Sequence, residues 1–408
     1  MSIDSTLDAL RETQIAPTAP LARVEHVFGR WLYLPDVRAL HAVLGTVAAN
    51  LLDGDPTWLL LVGPPGSGKS ELLQSVVGLP NVHPTATLTE PALLSGTAKK
   101  EQAKDASGGL LRTMGDFGII LCKDFGSVLS MHRDARGQVL AALREIYDGS
   151  WTRHVGTDGG KTLSWSGKVG LLAGCTPTID GHHAVMGSMG ERFVLFRLPE
   201  VSDQEQARRA LAHAGREKQM RAELARAVAG LFSAQTLQHP RERTEEDTSK
   251  LVDLTTLVVR CRSAVERDRH TRDIELIPPP EAPTRLIVVL DRLLAGLDSI
   301  GLSRENAWSV ITKAALDSIP QARRDTLDLL NTQGEMRTAA IADALGYPTT
   351  TARRTLDDLK AHRIVERLEQ GGGNKGDLFG LTTWARERYS RFVPTCPEPV
   401  PERDGIPF

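Results

Sequence analysis

Residues Gly63-Pro64-Pro65-Gly66-Ser67-Gly68-Lys69-Ser70 spell Gly-x-x-x-x-Gly-Lys-Ser, a spacing that can cradle a phosphate chain. An apolar run, Trp58 to Val62, precedes it, and a helical pattern over Glu71 to Val77 follows. That is the strand-loop-helix setting the chemistry requires. Glycines let the backbone curl until its N–H groups converge on phosphate oxygens. The start of the next helix adds unpaired N–H groups and positive dipole. Lys69 would reach the β- and γ-phosphates, and the Ser70 hydroxyl would sit on Mg²⁺. ATP with Mg²⁺ is the expected ligand pair.

Other residues could complete that chemistry. Asp124 closes a buried-strand pattern, Gly118 to Asp124. A carboxylate there could hold the metal's water shell; the alternative is a plain strand-end acid. Hydrolysis also needs a base to orient water, and Glu145, Asp148 and Glu90 are candidates. Arg192 stands just before a strand over Phe193 to Leu198. From there it could enter a neighbouring subunit's triphosphate site and stabilise charge on the γ-phosphate. A surface salt bridge is the alternative, and Arg197 is a rival. Arg285 opens a helical run and could reach the γ-phosphate. Lys161 lies beside the tip of a hairpin pattern, Trp151–Val155 and Lys161–Trp165 around Gly156–Gly160. A cation there suits a nucleic-acid backbone, or it is simply a solvated lysine.

The elements that must position these groups follow from periodicity. Strands alternate with helices after the phosphate loop, which predicts an α/β core with a parallel sheet covered on both faces. Residues 1–35 form an N-terminal arm, 36–200 the core, and 201–320 an all-helical lid with connecting helices. Residues 321–392 form a winged helix-turn-helix, and the proline-rich 393–408 a tail expected to be disordered. In the winged helix, Thr338–Leu345, a Gly346-Tyr347-Pro348 turn and Thr349–His362 give the helix-turn-helix. Val365–Leu368, a Gly371–Gly376 loop and Leu378–Leu381 give the wing. The stretch Gln235 to Thr248 is polar and expected to be mobile.

Bulk properties exclude some classes. The 408 residues are 41% hydrophobic and 25% charged, with a formal net charge of −2. Any DNA affinity must therefore be local. The cysteines, Cys122, Cys175, Cys261 and Cys396, show no paired metal spacing and suit a reducing cytoplasm. No apolar run is long enough to span a bilayer, so no membrane partner is expected.

With these motifs in hand, the chain resembles the AAA+ ATPases, and more narrowly the branch containing the minichromosome-maintenance helicases. Four features over residues 36 to 320 carry the resemblance. They are Gly63–Ser70, an insertion around Ser95–Gly109, the hairpin before Val169–Cys175, and Ala282-Pro-Thr-Arg-Leu286. The resemblance implies a ring or spiral, with a hexamer expected, and Arg192 acting in trans. It also implies Lys161 in a DNA channel and Arg285 as the sensor 2 arginine. Thr176 stands where those relatives carry the sensor 1 asparagine, and Phe125 where they carry the catalytic glutamate, which points to slow turnover. The chain further resembles bacterial ATPases with a C-terminal helix-turn-helix, sometimes labelled ArsR-type regulators.

Winged helices lay the third helix in the major groove and the wing along the backbone. Thr349 to Arg367 holds five basic and three acidic residues. Arg353, Arg354, Lys360 and, in the wing, Lys375 are the expected DNA contacts. The leading functional expectation is a DNA-remodelling or helicase-like ATPase. The second is a nucleotide-gated transcription regulator with little turnover, and the third a remodeller of protein partners.

Overall fold

The computed structural model describes residues 19–95, 108–156, 160–183, 186, 192–200, 203–233, 236–268, 270–370 and 376–393. Most of the expected arm, the centre of the insertion, the tip of the hairpin, Lys375 and the tail lie outside the described residues. The chain divides into two compact units. The first comprises 1–179, 195–242 and 291–311, the second 180–194, 243–290 and 312–408.

The first unit opens with helices α1 (Pro20–Trp31) and α2 (Arg38–Leu51), then β1 (Trp58–Val62), α3 (Lys69–Gln74), β2 (Val82–Thr85), α4 (Glu90–Leu93) and α5 (Leu110–Met114). It continues with β3 (Phe117–Cys122), α6 (Gly126–Leu129), α7 (Arg133–Tyr147), the hairpin β4 (Ser150–Val155) and β5 (Lys161–Ser166), and β6 (Lys168–Cys175). After β7 (Phe193–Arg197) come α8 (Asp203–Ala212) and α9 (Glu217–Leu231). The central sheet runs β2-β3-β6-β1-β7, with β2, β3, β6 and β1 paired in parallel. Every residue of β1 is buried, as expected of a strand covered on both faces. The predicted α/β core is thus the architecture found. The predicted helix over 202–232 breaks at Gly215, whose φ of 82° places it in the left-handed region that favours glycine.

The second unit holds α10 (Glu245–Arg262), the short strands β8 (Glu266–Arg267) and β9 (Ile274–Leu276), α11 (Thr284–Ser299) and α12 (Arg304–Asp317), the last two shared with the first unit. Then follow α13 (Gln321–Gln333), β10 (Met336–Arg337), α14 (Thr338–Leu345), α15 (Thr349–Ala361), β11 (Val365–Glu369), β12 (Leu378–Leu381) and α16 (Thr383–Phe392). The wing forms a sheet β10-β12-β11. The polar stretch before Thr248 already contains the start of α10. Thr244 and Asp247 form a reciprocal capping box there, which satisfies N–H groups the helix leaves open. The β8–β9 ribbon sits amid the helical region and had no hydrophobic alternation to announce it.

Within the first unit α2 and α11 touch backbone to backbone. A Cβ on Gly296 would lie 2.2 Å from the Gly45 carbonyl oxygen and 2.6 Å from the Ala49 nitrogen. Gly296→Ala should therefore destabilise the protein by about 1–3 kcal/mol, since the backbones must part. Gly29→Ala, in a helix with nothing within 4 Å of the added carbon, should be neutral or stabilising by up to about 1 kcal/mol. Urea denaturation of both variants checks the contrast.

Candidate nucleotide site and nucleic-acid interface

The site is built by strand register. β1 pairs with β6 up to Val62↔Cys175, and β3 with β6 up to Cys122↔Ala173. Parallel pairing puts the three carboxyl ends on one edge of the sheet. That edge carries the loop after Val62, Thr176 after β6, and Asp124 after β3, in the crevice where open α/β sheets bind ligands.

The Gly63 N–H donates to the Cys175 carbonyl at 3.1 Å, which pins the start of the loop to β6. Gly66 and Gly68 have φ of 80° and 83°, so the curl uses conformations other residues rarely adopt. Lys69 Nζ donates to the Gly63 and Pro64 carbonyls at 2.6 and 2.7 Å and to Ser67 Oγ at 3.3 Å. Burial lowers the Lys69 pKa, while nearby Cys175 and Asp124 oppose that shift. The ammonium and the Asp124 carboxylate therefore share one electrostatic neighbourhood. Asp124 is exposed, and its Oδ1 accepts from the Gly126 N–H at 3.0 Å. Ser70 is also exposed, at the first turn of α3. Two hard oxygen donors suit Mg²⁺, which completes its shell with waters and phosphate rather than a protein cage. Among the described residues no cluster of three or more His, Cys, Asp or Glu could hold a metal by itself.

Thr176 Oγ1 shares a 2.7 Å hydrogen bond with Thr178 Oγ1. Phe125 is 0% exposed, and its N–H donates to the Gly174 carbonyl at 2.7 Å. Its ring belongs to the core. Of the other proposed bases, Glu90 is held by Arg153 at 2.9 Å, whereas Glu145 and Asp148 are exposed.

A cavity of about 250 Å³ adjoins the loop at Gly66 and Gly68. Its walls include Trp31, Tyr33, Leu34, Met220, Gln206 and His213. Trp31 is fixed by its Nε1–H bond to Glu223 at 2.8 Å and by Arg216 over its ring at 4.7 Å. Gln206 Nε2 donates to the Gly66 carbonyl at 2.7 Å, and Arg221 pairs with Glu71 at 2.7 Å. This apolar wall beside a phosphate loop was missed in the sequence. Its available signal was the helical pattern that ends at Trp31.

Arg192 and Arg285 belong to the second unit. Arg192 is 4% exposed, and Arg285 is half-buried on the first turn of α11. Arg197, the rival, is half-buried. Lys161 opens β5 opposite Val155 and is half-buried.

In the second unit Arg353, Arg354 and Lys360 all lie exposed on α15. Asp358 of the same helix turns inward to Arg267 at 2.5 Å and Arg323 at 2.9 Å. One of the three acids in this stretch is therefore neutralised within the unit, while of the basic residues Arg367 pairs with Asp377 at 3.2 Å and Arg353 lies 4.0 Å from Asp357. His183 Nε2 lies 2.7 Å from the Arg262 carbonyl oxygen. Burial, then Arg323, holds its pKa down to about 4.

The IclR helix-turn-helix domain family matches residues 325–369. A comparison with curated proteins gave no match. Solved structures similar to this chain include NtrX from Brucella abortus in complex with ADP, at 14% identity and a TM-score of 0.29, covering 88% of this chain and 76% of that one. The apo C-terminal region of NrS-1 aligns at 10% identity and a TM-score of 0.27, over 88% and 75% of the two chains. The Hsp104–ADP complex of S. cerevisiae aligns at 15% identity and a TM-score of 0.27, over 91% and 54%.

Two outcomes are expected. Lys69→Ala removes a charge-assisted contact and should weaken binding of a fluorescent ATP analogue roughly 10- to 100-fold without lowering the melting temperature; unchanged affinity would refute the loop assignment. For His183, the unfolded imidazole takes up a proton below about pH 6.5, while the folded one resists to about 4. Stability should therefore fall as pH drops across that window, and His183→Gln should flatten the decline in a pH series of melts.

Proposed function

We propose that the chain is an AAA+-type ATPase whose nucleotide state governs DNA binding by an IclR-type winged helix. The observation carrying this reading is the shared sheet edge. Lys69, Thr176 and Asp124 stand on adjacent strand ends, beside a cavity suited to a nucleobase. The basic face of α15 supplies the second half of the reading. Mg²⁺ would be held by Ser70 and Asp124 and would neutralise charge between the β- and γ-phosphates.

Hydrolysis on this reading is slow. The glutamate that commonly follows the strand-end aspartate is replaced by Phe125, whose ring lies wholly in the core. Two modes follow. In one, copies assemble into a ring or spiral of the kind found in the minichromosome-maintenance branch. Arg192 would then complete a neighbour's site, Arg285 would report on the γ-phosphate, and Lys161 hairpins would line a DNA channel. In the other, ATP switches the winged helix between binding states with negligible turnover. The burial of Phe125 favours the second mode, and the paired β4–β5 hairpin with Lys161 beside its tip supports the first. Among the described residues no helix is long and apolar enough to cross a membrane.

Phosphate release measured with and without duplex DNA tests the reading. Turnover should stay below about 1 s⁻¹, under the enzyme median, require Mg²⁺, and change when DNA is added. Arg192→Lys should lower turnover while leaving nucleotide affinity intact if the trans mode operates. Tight ATP binding with no effect of DNA on either affinity or turnover would sink the coupling.

A further inference from the structure

The β8–β9 ribbon has no role in the function proposed above. Its strands pair Glu266↔Leu276 and Arg267↔Ile274, and His270, Thr271 and Arg272 at its tip are exposed. Asp268 Oδ1 accepts from the His270 and Thr271 N–H groups at 2.8 and 2.7 Å, which occupies one of the tip's acids. The Asp268 carbonyl accepts from the Arg272 N–H at 3.1 Å. Arg272 itself has φ of 65°, an uncommon conformation for a residue other than glycine, asparagine or aspartate.

One guanidinium ties this tip to the helix expected to enter DNA. Arg267 Nη1 donates to the Arg272 carbonyl at 2.8 Å. Its Nη2 donates to the Arg354 carbonyl at 3.1 Å and to Asp358 at 2.5 Å. Asp358 is held from its other oxygen by Arg323 at 2.9 Å, and Arg323 also donates to the carbonyls of Cys261 and Ser263 at 2.9 and 2.7 Å. The end of α10, the ribbon and α15 are thereby locked into one surface. The Arg272 and Arg354 carbonyls thus share one guanidinium, and Arg272, Arg353 and Arg354 are all exposed.

We infer that the β8–β9 ribbon is a second DNA contact, with Arg272 gripping a duplex phosphate that flanks the groove occupied by α15. The inference rests on the DNA-binding reading above and extends it beyond the helix-turn-helix and its wing. The chemistry is that of backbone positioning. A cation on a rigid turn neutralises a phosphate and fixes the register of the recognition helix, without reading sequence. The three-way fork of Arg267 supplies the rigidity, because it sets the tip and the helix from one group.

Fluorescence anisotropy of the full chain with labelled duplexes of several sequences, from about 50 to 200 mM salt, tests the assignment. Arg272→Gln should weaken binding roughly three- to tenfold, equally for every sequence. It should also reduce the slope of log Kd against log salt by about 1, while Arg272→Lys should keep the wild-type slope. Unchanged affinity and slope in Arg272→Gln, or tighter binding, would overturn the ribbon contact. The parent reading fails separately, if the wild-type chain ignores duplex, or if Arg353→Ala with Arg354→Ala leaves binding intact.

Discussion

The hydrogen-bonded pairing of β6 with both β1 and β3 is the constraint on which the nucleotide chemistry depends. The Gly63–Ser70 loop, the Asp124 carboxylate and the Thr176 hydroxyl, which the proposed function would bring to one nucleotide, come from three distant stretches of sequence. They can cooperate only if their strands end level. The register from Trp58↔Leu171 to Val62↔Cys175 does this for β1, and the run from Phe117↔Lys168 to Cys122↔Ala173 does it for β3. A slip of one residue would turn every buried side chain of β1 to the opposite face. The Gly63 N–H bond to Cys175 then carries the register directly into the loop.

The loop's electrostatics follow from the same packing. Lys69 is half-buried against two carbonyls of its own turn. A triphosphate entering the curl must draw Nζ away from those oxygens and offer more negative charge in return. Burial raises the cost of leaving the ammonium unpaired, so the exchange favours a multiply charged ligand over a weak one. Asp124 is close enough to influence the Lys69 pKa, and on the proposed reading it would offer a divalent cation an oxygen in the same crevice. Phe125 marks where this architecture stops short. At the position next to Asp124 the backbone is pinned to Gly174 and the side chain points into the core. The local fold thus supports binding more fully than it supports activation of water.

Much of this was legible in the sequence, for identifiable reasons. Trp58–Val62 and Thr338–Leu345 are bounded by strong punctuation, a Pro56 turn and a loop glycine in one case and Gly346 in the other, and both elements run over the residues their patterns indicated. The spacing of Gly63 to Ser70 singled out, without any knowledge of the sheet, the loop that the structure sets between β1 and α3. The start of α10 was hidden because Glu245, Glu246 and Asp247 look like linker composition, yet they are the acidic first turn of a capped helix. The β8–β9 ribbon was hidden because its strands are two and three residues long and are fixed by Arg267 rather than by an apolar face. The cavity wall at Trp31 to Leu34 depends on α8 and α9 folding back beside the loop, a long-range contact that no local pattern encodes. The inward turn of Asp358 is of the same kind, since its charge could be discounted only once Arg267 and Arg323 were seen around it.

In the second unit a run of hydrogen bonds joins the winged helix to the segment that follows Thr176. The 3₁₀ turn Pro177–His182 directly follows Thr176 in the chain. Asp180 in that turn accepts from the Gln321 N–H at 3.1 Å, at the first residue of α13. Next along the segment, His183 lies 2.7 Å from the Arg262 carbonyl oxygen, one residue from the Ser263 carbonyl that Arg323 holds together with Asp358 of α15. These are discrete hydrogen bonds between packed elements. A shift of α15 on DNA would strain the Arg323 fork first, because that group is nearly buried and has no room to follow without breaking a bond. The Arg262 end of α10, and with it the His183 contact, would feel the strain next. Within the second unit, a short chain of polar contacts therefore links α15 to the residues around Asp180 and His183.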